Sequence, residues 1–410
     1  MTASAEAETR AVRIAYVINS FEGGGAAAPV PAIAHVLRAG GAEIRVFALT
    51  RRDGRAEAGI AAAGLDPLVR DGGERDHLAA LRWLDRETAR WGATHLWTSL
   101  TRATLLGLWL GPRRSLPVAC WQHNSFLKPA NLRLLRAMQH RAALWVADSS
   151  HVAALTAARL RVEPERLATW PIFAADPQAP RPLAWQPGAP LRIGSLGRLH
   201  QAKGYDVLIE ALALLRTRGF VAPVPLEITI AGEGAERQAL EAAAVRAGVT
   251  LAFPGFAARP DRFLAAQHLY IQPSRREGFC IAAHEAMAAG LPIIASATGE
   301  LALTVTPDCG QLVLPGDAAA LADALAAMLD NPGKLAAMGR RARVKVEARY
   351  SRDSFTRAGS AALARLTSVS ADDTKMLRRA GVDPLVHPRS NRRAKMSRLP
   401  RSLRNPHDEG

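Results

Sequence analysis

The chain has 410 residues, 49% apolar and 22% charged, with a net charge of +16, which allows two domains with full cores and is ordinary for a globular protein. Three widely spaced cysteines (Cys120, Cys280, Cys309) fit neither a disulfide framework nor a zinc-ligand pattern, and favour a reducing, cytoplasmic compartment. The polar start MTASAEAETR is no secretory signal, and the most apolar stretch, around Leu105–Leu110, falls far short of the ~20 residues that span a bilayer.

The charge is unevenly spread. The last 42 residues hold 10 Lys/Arg against 5 Asp/Glu, an excess that fits nucleic acid, an anionic membrane or anionic substrates. No basic patch is interleaved with aromatics and no known binding motif appears, so nucleic acid is not an expected partner.

Residues 1–10 are polar and expected to be disordered. From there VRIAYVI (Val12–Ile18) reads as a strand that ends in the loop Glu22-Gly23-Gly24-Gly25. Helical periodicity over Pro31–Ala39 and a strand at Glu43–Leu49 complete a βαβ unit. The alternation continues with a helix at His77–Trp91, strands at THLWTSL and PVACWQH, a helix at Asn131–Arg141 and a strand at LWVADSS. Such alternation predicts a parallel, doubly wound first domain over residues 11–170. Residues 171–190 hold six prolines and read as a linker, since neither a helix nor a central strand tolerates them.

The pattern then restarts and predicts a second doubly wound domain over residues 191–351. Its strands are LRIGSLG, PLEITIAG, VTLAFPG, HLYIQPS, LPIIAS and GQLVLPG. Its helices are Tyr205–Arg218, Ala235–Ala247, Arg259–Ala266, Ile281–Ala289, Ala318–Leu329 and Gly333–Arg349. Tyr350-Ser351 breaks the pattern, residues 352–367 read as a C-terminal helix, and 368–410 as a basic disordered tail. The fold class is therefore α/β, two tandem Rossmann-like domains facing a cleft at the carboxyl ends of their strands.

Two motifs in the second domain carry chemistry. GRLHQAKG (Gly197–Gly204) leaves a strand and offers Arg198 and Lys203 five positions apart, a pair of cations suited to a diphosphate leaving group. Further on, Glu277 and Glu285 are eight positions apart, with Gly278, Phe279 and Cys280 leading into a helix. Free main-chain N–H groups at that helix start suit an oxygen-rich anionic ligand, and carboxylates accept strong hydrogen bonds from sugar hydroxyls.

Together these residues resemble the retaining GT-B glycosyltransferases of the group 1 (GT4) family. The likeness runs over about residues 12–366 and includes the Gly-rich loop, the GRL-x3-KG and E-x7-E patterns and the strand-turn AGEGAE (Ala231–Glu236). It implies a cytoplasmic enzyme that moves a sugar from a nucleotide-sugar donor to a glycan or lipid-linked acceptor of envelope or exopolysaccharide synthesis. Arg198 and Lys203 would bind the donor diphosphate, and Glu277 the transferred sugar with the main chain of Gly278, Phe279 and Cys280. Glu285 would hold the ribose. Gly24 and Gly25 would approach the donor phosphates or the acceptor from the facing domain. His123, just past a first-domain strand, would orient the donor sugar and acceptor. No cofactor and no metal are implied, because no Asp-x-Asp follows a strand where it would hold a divalent ion.

Three departures from the family pattern lie beside this site: Cys280 in place of Gly or Pro, His284 in place of an apolar residue, and PIFAAD (Pro171–Asp176) in place of Asn-Gly. The resemblance also implies peripheral contact with anionic membrane through a basic first-domain helix, here with Arg133, Arg136 and His140 on one face. Rival readings are a dinucleotide-dependent oxidoreductase, a nucleotide-sugar epimerase and a basic nucleic-acid-binding protein. The first fails because Gly23–Gly25 lacks the G-x-G-x-x-G spacing.

Overall fold

The computed structural model describes residues 11–123 and 126–369. Residues 1–10 and 370–410, expected above to be disordered, lie outside that range.

The first sheet contains β1 (Arg13–Ser20), β2 (Glu43–Thr50), β3 (Leu68–Val69), β4 (His95–Ser99), β5 (Val118–Gln122), β6 (Leu144–Ala147) and β7 (Leu167–Thr169). Between them run α1 (Val30–Ala39), α2 (Glu57–Ala62), α3 (His77–Trp91), α4 (Thr101–Arg114), α5 (Pro129–Met138) and α6 (Ser150–Leu160). The second sheet contains β8 (Leu191–Leu196), β9 (Leu226–Ala231), β10 (Ala252–Gly255), β11 (Leu269–Gln272), β12 (Ile293–Ser296) and β13 (Gly310–Val313). Its helices are α7 (Tyr205–Thr217), α8 (Arg237–Ala247), α9 (Pro260–Ala265), α10 (Ile281–Ala289), α11 (Leu301–Thr304), α12 (Ala318–Leu329) and α13 (Leu335–Arg349), followed by α14 (Arg352–Thr367).

All pairings in both sheets are parallel, in the orders β3-β2-β1-β4-β5-β6-β7 and β10-β9-β8-β11-β12-β13. Strand order reverses between β1 and β4 in one sheet and between β8 and β11 in the other. Those switch points leave crevices at the carboxyl ends of the strands, and the motif loops sit there: Glu22–Gly25 after β1, Gly197–Gly204 after β8 and Glu277 after β11. The central strands are buried on both faces; β1 from Ile14 to Ile18 is wholly covered, as parallel strands under two helical layers must be.

The last helix returns to the first domain. The Ser351 hydroxyl caps α14 by accepting from the Ser354 amide, which explains the break in pattern at Tyr350-Ser351. Phe355 then packs on Trp170, 5.3 Å between ring centres, and Trp170 stacks on Trp121 at 4.9 Å. One hydrophobic core consequently runs from the first domain through the linker and α14 into α10 and α13.

On α5 the expected basic face is smaller than its spacing implies. The helix ends at Met138, and His140 lies in a 3-10 turn (Gln139–Arg141). Burial, with the charges of Arg141 and Arg166, lowers the His140 pKa, which favours its neutral form.

Candidate active site

The turn after β8 puts Lys203 at the end of a 3-10 helix (Gln201–Lys203), closed by Gly204 at φ +67°. A Cβ on Gly204 would stand 2.0 Å from the Pro273 carbonyl oxygen, so only glycine lets this turn press against the end of β11. Lys203 Nζ is thereby brought within 2.7 Å of Glu277 Oε1. Burial disfavours the ammonium, but the Glu277 carboxylate more than offsets it and the Lys203 pKa is raised.

Glu277 itself is held by a run of polar side chains at the end of β11. Ser274 Oγ donates to Glu277 Oε1 (2.6 Å), Gln272 Nε2 donates to Ser274 Oγ (2.8 Å), and the Tyr270 hydroxyl donates to Gln272 Oε1 (2.9 Å). Every member of that run is buried, so the carboxylate has a fixed position.

Arg198, Lys203, Glu277, Gly278 and Glu285 all line one cleft of about 1360 Å³, with Gly24 and Gly25 on the facing wall. A Cβ on Gly25 would lie 3.5 Å from Ile281 Cδ1, so the Gly-rich loop faces the start of α10 across the cleft. Asp53 shapes that loop, accepting from the amides of Gly23 (2.9 Å) and Arg55 (3.1 Å). Glu285, one turn into α10, has its pKa raised by burial and secondarily by the charge of Asp261.

The side chains of two expected site residues turn away from the cleft. The Phe279 ring packs on His284 (4.1 Å) and Tyr350 (5.0 Å), inside the core. Cys280 is also buried, and burial, then the nearby Glu277 charge, raises its thiol pKa. Cys280 adopts φ +67° at the start of α10, a backbone region where glycine is at ease and other residues are strained. His284 is fully buried, Nδ1–H donating to the Cys280 carbonyl (3.0 Å) and Nε2 lying 3.1 Å from the Thr304 hydroxyl. Its pKa is lowered to about 4 by burial, so it is a neutral core residue. Of the three departures from the family pattern, only the Pro171–Asp176 segment lines the cleft, through Ile172, Phe173, Ala174 and Asp176.

His123 is held mainly by first-domain side chains. Its ring stacks on Trp121 (5.6 Å between centres), with Nε2 2.7 Å from Ser99 Oγ and Nδ1 facing Asp148 Oδ2 at 3.5 Å. The ring is 7% exposed, and its Nδ1 makes no hydrogen bond among the described residues. What His123 gives the other domain is its main-chain carbonyl, which packs so closely on Gly278 that a Cβ there would sit 2.2 Å away. Ser99 and Asp148 end neighbouring strands or follow them directly, a placement that only the sheet order reveals.

Further side chains of the cleft were not singled out in the sequence. Glu22 Oε1 lies 3.6 Å from Arg198 Nη1, a carboxylate from one domain opposite a cation from the other. Arg55 reaches across to Glu233 (2.8 Å) with its guanidinium 4.3 Å from the Phe256 ring centre. Arg276 reaches the other way and stands over Phe126 at 4.4 Å. Beyond the cleft, buried Glu300 joins the domains: it accepts from the His151 amide (3.3 Å), the Tyr350 hydroxyl (3.0 Å) and Arg349 (2.6 Å). No sequence spacing announces these pairs, because each forms between distant segments.

Residues 185–345 match the family model described as glycosyl transferases group 1. Over 163 residues, 38% of the chain and 42% of the relative, it is 33% identical to a GDP-mannose-dependent monoacylated alpha-(1-6)-phosphatidylinositol monomannoside mannosyltransferase of Corynebacterium glutamicum. It is likewise 33% identical to a 2-deoxystreptamine glucosyltransferase of Streptomyces kanamyceticus, over 37% of the chain and 39% of that protein. The chain thus spans about two fifths of the length of these curated relatives. Among solved structures, Anabaena Alr3699/HepE in complex with UDP-glucose superposes with a TM-score of 0.74 at 19% identity, over 86% of this chain and 99% of that one. A sucrose-phosphate synthase from Thermosynechococcus elongatus gives 0.72 at 20% identity, over 88% and 100%. The fold is GT-B.

Proposed function

We propose, from the premise that residues 185–345 belong to the group 1 glycosyl transferases, that the chain transfers a sugar with retention from a nucleotide-activated donor to an acceptor entering from the first domain. The observation that carries this reading is the meeting of Arg198, Lys203, Glu277 and Glu285 in one cleft at the switch points of two facing sheets.

In this reading the donor diphosphate lies against Arg198 and Lys203, whose charges stabilise it as it leaves. Glu277, pre-positioned by Ser274 and Lys203, accepts hydrogen bonds from the transferred sugar, and Glu285 accepts from the ribose hydroxyls. Gly24 and Gly25 close the facing wall. The departing phosphate takes the acceptor proton, with attack on the face it vacates. His123 acts by supporting Gly278, next to Glu277, rather than by touching substrate. The residues in place supply the charge a leaving diphosphate needs, so we expect transfer without a divalent metal.

The acceptor we favour is a glycan or lipid-linked intermediate, reached from the cytoplasmic side of an anionic membrane. Exposed Lys128, Arg133, Leu134 and Arg136 on and before α5 support that attachment. No described helix is long and apolar enough to cross a membrane.

The deciding experiment is a thermal-shift screen with UDP-, GDP- and ADP-sugars. A donor at 100 times its dissociation constant adds ~2.7 kcal/mol of stability. If no nucleotide sugar or nucleoside diphosphate raises the melting temperature, the reading fails.

A further inference from the structure

Four Lys or Arg side chains line the cleft, and three of them face carboxylates. Arg55 is paired with Glu233, Arg198 faces Glu22 and Lys203 is paired with Glu277. Arg276 is the exception: among the described residues its guanidinium makes no ion pair and no hydrogen bond. Its sequence neighbour shows the contrast. Arg275 is bound bidentately to Asp206, at 2.6 and 2.7 Å, and is thereby drawn out of the cleft. The main chain of both arginines is anchored, their amides donating to the Ala202 carbonyl (2.9 and 3.4 Å). Arg276 is thus held beside the Lys203 turn with its side chain directed across to the first domain.

There it meets Phe126, with the guanidinium carbon 4.4 Å from the ring centre. Phe126 is 46% exposed and also lines the cleft. Lys128, two residues on, is exposed. A guanidinium over an aromatic face is attracted to it through its flat side, which leaves the N–H fork for an oxyanion. The nearest residue in the chain is Glu277, whose Oε1 is already taken by Lys203 and Ser274. Arg276 is thus a half-buried cation in the cleft, next to the carboxylate proposed to hold the sugar and without a protein ion pair among the described residues.

We propose that Arg276 and Phe126 form an anion subsite for the acceptor, so that the acceptor carries a phosphate or carboxylate close to the hydroxyl that receives the sugar. The proposal rests on the transferase reading and narrows its acceptor class. Arg276 belongs to the acceptor side because the donor diphosphate already has Arg198 and Lys203, while Arg276 is directed at a first-domain residue. Phe126 supplies a flat apolar wall on which the body of the acceptor can rest.

The test uses the full chain loaded with whichever nucleoside diphosphate binds best. Glycerol 3-phosphate, glucuronate and their neutral counterparts glycerol and glucose are then titrated by calorimetry or NMR. The wild type should bind the anionic probes at least about tenfold more tightly than the neutral ones. Arg276→Gln should bring the two within about twofold while leaving diphosphate affinity unchanged, and Phe126→Ala should weaken both probe types. Co-sedimentation with phosphatidate vesicles separates the two sources of a phosphomonoester. Pelleting that Arg276→Gln abolishes marks a lipid headgroup, and glycerol 3-phosphate binding without pelleting marks a soluble acceptor; each supports the subsite. Equal binding of anionic and neutral probes overturns it. So does a loss of diphosphate affinity in Arg276→Gln, which would give this arginine to the donor. If the wild type binds no nucleoside diphosphate at all, the transferase reading fails and the subsite falls with it.

Discussion

Lys203 Nζ stands 2.7 Å from Glu277 Oε1, joining two sequence motifs 74 residues apart. The lysine is therefore a structural counter-charge to Glu277, besides the phosphate contact proposed for it. Its side chain is 23% exposed and that of Glu277 is 9% exposed, so removing the lysine leaves a mostly buried carboxylate without its cation. Lys203→Ala should cost about 1–3 kcal/mol of stability in urea unfolding, below the range for a fully buried pair. Glu277→Gln in the Lys203→Ala background should restore part of that loss. If the double variant is as unstable as the sum of the two singles, the pair is not coupled. Nucleoside-diphosphate binding should fall in both lysine variants, because the phosphate contact is absent from each.

The two glutamates should separate by function and by pH. Glu277→Gln is expected to lower turnover far more than nucleotide affinity, and Glu285→Ala the reverse, since in the proposed reading one faces the sugar and the other the ribose. Burial, with the Asp261 charge, raises the Glu285 pKa above its usual 4.5. The folded state thus holds this proton more tightly than the unfolded state. Its stability penalty is absent below pH 4.5 and grows as pH rises through the raised value. Glu285→Gln should remove that part of the decline, seen as a flatter urea midpoint between pH 4 and 7. A midpoint profile identical to wild type would show that Glu285 titrates normally.

How much of this was legible beforehand depends on where the information sits. Helices with local signals are legible: the spans around His77–Trp91, Ile281–Ala289 and Ala318–Leu329 coincide with α3, α10 and α12. Helix α4 was not read, because Gly107, Gly111 and Pro112 interrupt TRATLLGLWLGPRR and the apolar run obscures any face. The motif loops were legible because their chemistry is contiguous. The partners were not: Ser99 and Asp148 meet His123, and Phe126 meets Arg276, only through the order of strands and the closure of two domains. The inward turn of the His123 ring follows from those partners, so position along the chain could not reveal it. The attachment of α14 to Trp170 is equally non-local, since its own periodicity records an apolar face without naming what covers it.

Glu22 is expected to compete with the donor. Its carboxylate faces Arg198 at 3.6 Å and is also bound by Arg52. In the proposed reading the donor diphosphate takes the same guanidinium, so part of its binding energy would go into displacing Glu22. Arg198 is 55% exposed, which keeps the pair within the range of surface ion pairs, about 0.2–1 kcal/mol. Glu22→Gln should therefore tighten nucleoside-diphosphate binding by about two- to fivefold. Arg198→Ala should weaken it and abolish the effect of Glu22→Gln. Weaker binding in Glu22→Gln would mean that the acid positions the arginine rather than opposing the ligand.

Transfer should persist in excess EDTA, because Arg198 and Lys203 already meet the charge of a leaving diphosphate. A requirement for added Mg²⁺ or Mn²⁺, lost on chelation and restored on re-addition, would contradict the proposed mechanism.

The proposed membrane attachment would rest on the surface of α5. Lys128, Arg133 and Arg136 are exposed there, and so is the apolar Leu134, at 50%. The Arg136 Nε donates to the Arg159 carbonyl at 2.7 Å, so its charge is held on this surface. Each cation close to an anionic bilayer contributes ~1 kcal/mol, and an adjacent apolar side chain adds burial at the interface. Three cations and one leucine give weak, reversible binding, so the expected behaviour is co-sedimentation with anionic liposomes that disappears as salt is raised. Arg133→Glu/Arg136→Glu should abolish it and Leu134→Glu should weaken it, while nucleoside-diphosphate binding stays unchanged in both. A chain ending at Thr367 tests the basic tail separately. If only that truncation releases the protein from vesicles, the tail is the anchor and α5 is a solvated face. If the wild type stays in the supernatant at low salt, the membrane reading is wrong and the acceptor is met in solution.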